Sequence, residues 1–490
     1  MMAYLQRLHS VARHLNTVKL AQPKVFLQNR SFFNSNCRME QLSRTTTIQM
    51  RKKLIGSACP IWFRDEPLKI IRAEGQYMYD EEGNQYLDCI NNVCHVGHSH
   101  PDVTKAVSNQ LAILNTNTRF LNDNMLHLAK KLTDSLPGKL SVCFFCNSGS
   151  EANDLAIRLA RKYTGNKDVV VLDNAYHGHT ELLIDISPHK FKKPCMEGKK
   201  EWVHVADPPD IYRGKYAGDP NAGEKYALMV KNTIDSATQN GRKVCAFILE
   251  ALQSCGGQQI YPPNFMKNCF KHVREAGGLC IVDEVQTGFG RVGSHMWAFQ
   301  LQGEDVEPDI VSFGKPMGNG FPVAAVVTTP EIAHKFGEGG HEYFNTYGGN
   351  PVAAASALAV WEIVEKENLR DHALKVGGFL LEEMKKLQEK HEMLGHVRGV
   401  GLFQGYELVR DRETKEPATE EAAQVIIRLR KKHILLSTEG PYNNTLKFKP
   451  PMCFSEDDAR HLVKSLSEVL SEIEADNDAL NGHNVGKVGR

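Results

Sequence analysis

The chain has 490 residues, enough for two or more domains and a large buried core. Hydrophobic residues make up 41% and charged residues 24%, an ordinary globular composition that excludes a disordered or fibrous chain. Lys+Arg 59 against Asp+Glu 58 leaves a formal charge of +1, so no global field draws nucleic acid or an anionic membrane, and the expected partner is a small molecule.

Residues 1–40 read as a targeting leader. Arg7, Arg13, Lys19, Lys24, Arg30 and Arg38 occur with no acid before Glu40, and the continuous apolar core of a secretory signal is missing. This predicts the mitochondrial matrix; the alternative is a basic tail on a cytoplasmic protein. Residues 41–100 form an N-terminal segment contributing to a small domain, with a hairpin over Gln76–Ile90 turning at Asp80–Asn84.

Residues 101–350 form the large domain, where strands and helices alternate. A helix pattern runs from Pro101 to about Leu136, followed by a strand ending at Cys146 and a helix over Glu151–Tyr163. Strands follow at 168–173, at 243–250 ending on Glu250, and, after a helix near 264–276, at Leu279–Val285, 309–315 and 322–329. This alternation predicts an α/β fold with a mostly parallel sheet covered on both faces. No apolar run approaches the roughly 18 residues of a membrane span. Residues 351–475 form a smaller α+β domain, with a helical run to about His391, a strand near 400–409, a helix near 420–432 and the strand-like LKFKPPM. Residues 476–490 are polar and glycine-containing, and are expected to be disordered. The 12 cysteines lie mostly within apolar segments, which suits reduced thiols. Cys143 and Cys146 form a CxxC, but a strand points them to opposite faces.

Four features fall at strand ends, where open α/β sheets hold ligands. Leu279–Val282 run straight into Asp283 and Glu284, and a buried strand-end carboxylate needs a cationic partner. Asn147–Asp154 opens a helix where Gly149 allows close backbone approach and the free N–H groups of Ser150 and Glu151 face outward, a phosphate cup. Lys315 ends the strand DIVSFGK beside a glycine-rich turn, where desolvation can free its amine as a nucleophile. Tyr176 offers an aromatic ring after the strand at 168–173. One ligand needs all four groups: pyridoxal 5'-phosphate, with Lys315 binding its aldehyde, Asp283 holding its ring nitrogen protonated, Tyr176 stacking on the ring and the Gly149–Ser150 cup holding its phosphate.

The motifs HVGHSHP (95–101), NSGSEA (147–152), YHG (176–178), DEVQTGFGR (283–291), Gly314–Lys315 and TYGGNP (346–351) occur in order. Over roughly Lys52–Glu472 the chain resembles the class III aminotransferases, of fold type I among pyridoxal phosphate enzymes. The resemblance implies a large domain with a mostly parallel seven-stranded sheet and a smaller α+β domain. It implies that Ser148 and His177 join the cofactor-binding set, with Glu250 near the cofactor and Gln286 near its ring oxygen. It further implies that Thr346 reaches the phosphate of a neighbouring subunit, making a homodimer with shared active sites. His95, His98 and His100 lie in a loop that is structural in this family, so no metal is expected.

One stretch departs from the family pattern. Many class III transaminases carry an Arg that grips the substrate carboxylate bidentately, whereas this chain has Lys447 in LKFKPP. With Leu114–Leu121, this stretch resembles the alanine-glyoxylate aminotransferase 2-like subgroup, including phospho-lyases of phosphoethanolamine and phosphohydroxylysine. The resemblance implies a small primary amine substrate, with Lys447 and Arg119, and less directly Tyr212 or Arg213, as phosphate contacts, and Arg398 as structural. The alternatives are an aminotransferase of the alanine-glyoxylate type and, more remotely, a cofactor-binding scaffold without catalysis.

Overall fold

The computed structural model describes residues 41–485, with side chains described to residue 477. The predicted leader, residues 1–40, lies outside the described residues. The chain divides into two compact units at Pro67/Leu68, within the segment expected to run unbroken from 41 to 100. In the first unit a helix over Arg44–Leu54 starts at Ser43, whose Oγ accepts from the Thr46 N–H at 3.1 Å.

The second unit begins with β1 (Ile70–Glu74), β2 (Tyr77–Asp80) and β3 (Gln85–Asp88). Then come β4 (Val142–Cys146), β5 (Asp168–Leu172), β6 (Val203–Ala206), β7 (Val244–Glu250), β8 (Leu279–Asp283), β9 (Ile310–Phe313) and β10 (Ala324–Thr328). Last are β11 (Leu394–Val400), β12 (Phe403–Leu408), β13 (Ile434–Leu435), β14 (Ser437–Glu439) and β15 (Thr445–Phe448).

Strands β4 to β10 build the expected seven-stranded sheet, in the order β4-β10-β9-β8-β7-β5-β6. Neighbours from β9 to β6 pair parallel, and β10 runs antiparallel to both β4 and β9. β5, β7, β8 and β9 are buried along their whole length, because helices cover both faces, and so their sequences are almost uninterruptedly apolar. Val169 and Val171 pack with Leu155 and Leu159 of the helix Gly149–Thr164. Val170 and Leu172, on the other face, pack with Tyr226, Val230, Phe265 and Met266.

β1, β2 and β3 form a second sheet that β13 joins parallel to β3, tying the first strands of the unit to its C-terminal part. The third sheet has the order β11-β12-β15-β14. Helix Pro351–Lys366 serves two cores, with Trp361 in the large-sheet core and Ile363 in that of the C-terminal part. The helical run from Pro101 is two helices, Pro101–Ile113 and Asp123–Asp134, the second capped by the Asn122 side chain. The run after Gly349 likewise breaks at Asn368, which takes a left-handed φ of 51°. The last helix continues from Glu456 to Val485, past residue 475 where disorder was expected to begin. Among the described residues, no helix is long and apolar enough to cross a membrane.

Candidate active site

The parallel strands place their carboxyl ends side by side, with Glu250 of β7 in register with Asp283 of β8. Two residues past β9 comes Lys315, at the start of a short 3-10 turn, Lys315–Gly318. A cavity of about 510 Å³ opens above these ends, lined by Ser148, Gly149, Ser150, Tyr176, His177, Asp283, Gln286 and Lys315.

Asp283 is buried and fixed by three donors. Its Oδ2 accepts from Asn153 Nδ2 at 2.7 Å and lies 3.0 Å from His177 Nδ1, while Oδ1 accepts from the Val285 N–H at 3.0 Å. Asn153 is held in turn by Ser312 Oγ at 2.5 Å and donates to the His177 carbonyl at 2.8 Å. Glu284, the next residue, points away: it accepts from Thr287 Oγ1 at 2.6 Å and from the Phe299 N–H at 2.9 Å. Burial pushes its carboxyl up to about 8, so of the paired acids only Asp283 faces the cavity.

Burial drives the Lys315 amine below its ordinary range against the opposing pull of Asp283, with Cys255 and Glu250 also raising it and Lys447 lowering it. Glu250 lies outside the cavity lining, beneath Tyr176, accepting from the Tyr176 N–H at 3.2 Å and the Ser254 N–H at 2.8 Å. Burial raises its carboxyl to about 7.

The cup at Gly149 is tight. A Cβ there would sit 2.6 and 2.8 Å from the two methyls of Val285, and one on Gly178 would meet Ser150 Oγ at 2.8 Å. Ser148 caps the helix by accepting from the Glu151 N–H at 3.2 Å, so that donor, expected to be free, is taken, and the first-turn N–H groups left without a helical partner are those of Gly149 and Ser150, which line the cavity. An anion cup, an acid at a fixed point and a desolvated amine fit the phosphate, ring nitrogen and aldehyde of pyridoxal phosphate.

A family model for aminotransferase class-III matches residues 62–470. The chain belongs to the class-III aminotransferase family. It is a pyridoxal phosphate enzyme. An alanine–glyoxylate aminotransferase 2-like protein of Drosophila melanogaster is 51% identical over 89% of this chain and 88% of its own. An ethanolamine-phosphate phospho-lyase homolog 1 of Caenorhabditis elegans is 48% identical over 88% of this chain and 94% of its own. Among solved structures, a phospholyase from Arthrobacter in complex with phosphoethanolamine superposes with a TM-score of 0.82 at 37% identity, covering 87% of this chain and 99% of that one.

Several expected residues lie outside the cavity. Thr346 is exposed, and Arg119 is exposed with its guanidinium 4.3 Å over the Phe344 ring. Lys447 is also outside the cavity lining, its ammonium bonded to Glu439. Tyr212 stacks on His396 at 4.5 Å, and Arg213 and Arg398 both pair with Glu407, Arg398 being buried. The three histidines have separate partners: the Phe289 carbonyl lies 2.7 Å from His95, Asp88 lies 2.7 Å from His98, and His100 accepts from the Asp102 N–H at 3.2 Å. His189, Cys255 and Glu439 bring ligand-type atoms within 4.8 Å of one another, but the Lys447 ammonium already occupies Glu439.

Sequence reasoning missed Asn92, Asn153 and Lys449. Lys449 is buried and donates to Ser254 Oγ at 2.9 Å and to Gln286 Oε1 at 2.8 Å. The Lys-Phe-Lys spacing was a usable signal, since alternate residues of an extended strand share a face.

Proposed function

We propose that this enzyme is a phospho-lyase, which removes phosphate and ammonia from a small phosphorylated primary amine, phosphoethanolamine or phosphohydroxylysine, and leaves an aldehyde. The observation that carries this reading is Lys447, close enough for its charge to act on Lys315, at the position where many transaminases of the family hold a planar guanidinium. Ammonium groups are point charges that suit a tetrahedral phosphate as readily as a carboxylate. The likeness to a phospholyase crystallised with phosphoethanolamine supports the same reading.

Bound in the cavity, pyridoxal phosphate supplies an aldehyde for amine capture and a ring that accepts electrons. Asp283, held by Asn153 and His177, presents one fixed negative charge to the ring nitrogen. The Lys315 amine, held toward neutrality by burial, takes the proton from the carbon bearing the substrate nitrogen. The electron pair left on that carbon breaks the neighbouring carbon–oxygen bond, and phosphate departs toward Lys447. The proton held on Lys315 is returned to the carbon that lost phosphate and water replaces the nitrogen, so one water enters and phosphate, ammonia and aldehyde leave.

The reading includes a homodimer with shared active sites. Phe120 and Tyr347 are each 68% exposed and Leu121 is 99% exposed, apolar side chains of the kind a subunit interface covers. Thr346 and Arg119 belong to the same two segments and serve the neighbouring subunit's cavity. The matrix location rests on the basic, acid-free composition of residues 1–39. Incubation with phosphoethanolamine and, separately, with alanine plus glyoxylate tests the reaction. Phosphate release is expected; pyruvate without phosphate release makes the enzyme a transaminase and overturns the proposal.

A further inference from the structure

Gln286 ends its side chain between two donors. Asn92 Nδ2 reaches its Oε1 at 2.9 Å and Lys449 Nζ reaches the same oxygen at 2.8 Å. Both donors converge on the oxygen, so the amide nitrogen is the end left facing the cavity that Gln286 lines. A side-chain amide on its own turns through 180° at little cost; here a flip would set an N–H₂ against two N–H donors.

The Lys449 amine is itself fully committed. It is buried, 3% exposed, and sits between Ser254 and Gln286. Ser254 Oγ gives its own hydrogen to Gln258 Oε1 at 2.9 Å, so toward Lys449 it only accepts, and Gln286 Oε1 can only accept. Two hydrogens of the Lys449 amine are therefore used. Burial, together with Lys447 and Lys315, drives its proton affinity well below the ordinary lysine range. The amine has the two hydrogens these acceptors need whether or not it carries a third.

From this geometry we infer that Lys449 is a positioning residue that, with Asn92, locks the Gln286 amide so that its N–H₂ donates to the ring oxygen of the bound cofactor. This role is independent of whether elimination or transamination follows, since it acts before any substrate enters. A donor at that oxygen stabilises negative charge there and lowers the pH at which the cofactor-loaded lysine gives up its proton.

The test is a pH titration of the visible absorbance of the loaded enzyme without substrate, alongside cofactor affinity and the thermal midpoint of the cofactor-free protein. Lys449→Met is expected to raise the absorbance midpoint by about one pH unit, the scale of one hydrogen bond to a charged group. Asn92→Ala, which leaves Lys449 in place, is expected to shift it in the same direction by less. In a Gln286→Ala background, Lys449→Met is expected to add no further shift. An unmoved midpoint in Lys449→Met, or an equal shift with and without Gln286, overturns the inference. Should Lys449→Met fail to fold, as the thermal midpoint reports, the Asn92→Ala titration with and without Gln286 decides the question alone.

Discussion

The Gly149→Ala substitution tests the phosphate cup by adding one methyl group. The new Cβ would lie 2.6 Å from Val285 Cγ1 and 2.8 Å from Cγ2, and both distances are well inside van der Waals contact. Rotating the valine relieves only one of the two contacts, because both methyls face the glycine and a turn about χ1 leaves one of them there. Gly314 is packed closely in the same place: a Cβ there would lie 3.1 Å from the same Cγ1 and 3.2 Å from Gly149 Cα, so Val285 and the two glycines fit together with no room for an added methyl. Overpacking of this kind costs about 1–3 kcal/mol. Because Val285 and Gly149 both line the cavity, the displacement falls on the cup, and cofactor affinity should weaken by roughly 5- to 150-fold. Equilibrium titration of cofactor-free protein with pyridoxal phosphate measures this. Val285→Ala removes both methyls and should restore affinity in the double variant, giving a coupling energy close to the single-variant loss. Wild-type affinity in Gly149→Ala, or no recovery on adding Val285→Ala, refutes the reasoning.

Asp283→Asn removes the fixed charge while keeping the side chain's shape, and turnover should fall by about 100-fold or more in a steady-state assay. Lys447→Met should raise KM for phosphoethanolamine by roughly 10- to 150-fold, the value of a hydrogen bond to a charged group. An unchanged KM removes Lys447 from substrate binding. Glu284 gives a stability signature. Its folded value of about 8 lies above the ordinary 4.5, so the native state binds the proton more tightly and stability falls as pH rises across that window. Glu284→Gln should flatten this slope in denaturant midpoints measured between pH 4.5 and 8, and equal slopes in both proteins contradict the assignment.

The sheet was legible where physical constraints coincide. Leu279–Val282 is apolar because β8 is covered on both faces, and the sharp change at Asp283 marks the strand end where the site lies. β6 escaped notice because it is a four-residue strand on the sheet edge, and its His204 turns aside to pair with Asp168 at 2.8 Å. The helix Ala222–Gln239 was also passed over, although Tyr226, Val230, Ile234 and Ala237 are buried at the spacing of one helical face. Asp283 and Lys315 were readable because one ends its strand and the other follows two residues after its own. The supports of Gln286 were not, because Asn92, Ser254 and Lys449 come from three distant segments and meet only after the chain has folded. Asn153 is a similar case: its position one helical turn past Gly149 carries no mark of the Asp283 carboxylate it reaches.

The direct measurement is the site of covalent attachment. Lys315 and Lys449 are both buried amines with depressed proton affinity, so chemistry alone does not choose between them, and the account rests on the one set at the end of β9. Loaded enzyme reduced with borohydride, digested and sequenced by mass spectrometry should carry the pyridoxyl phosphate mass on Lys315, with no stable adduct in Lys315→Ala. A label on Lys449, or a labelled Lys315→Ala protein, contradicts it.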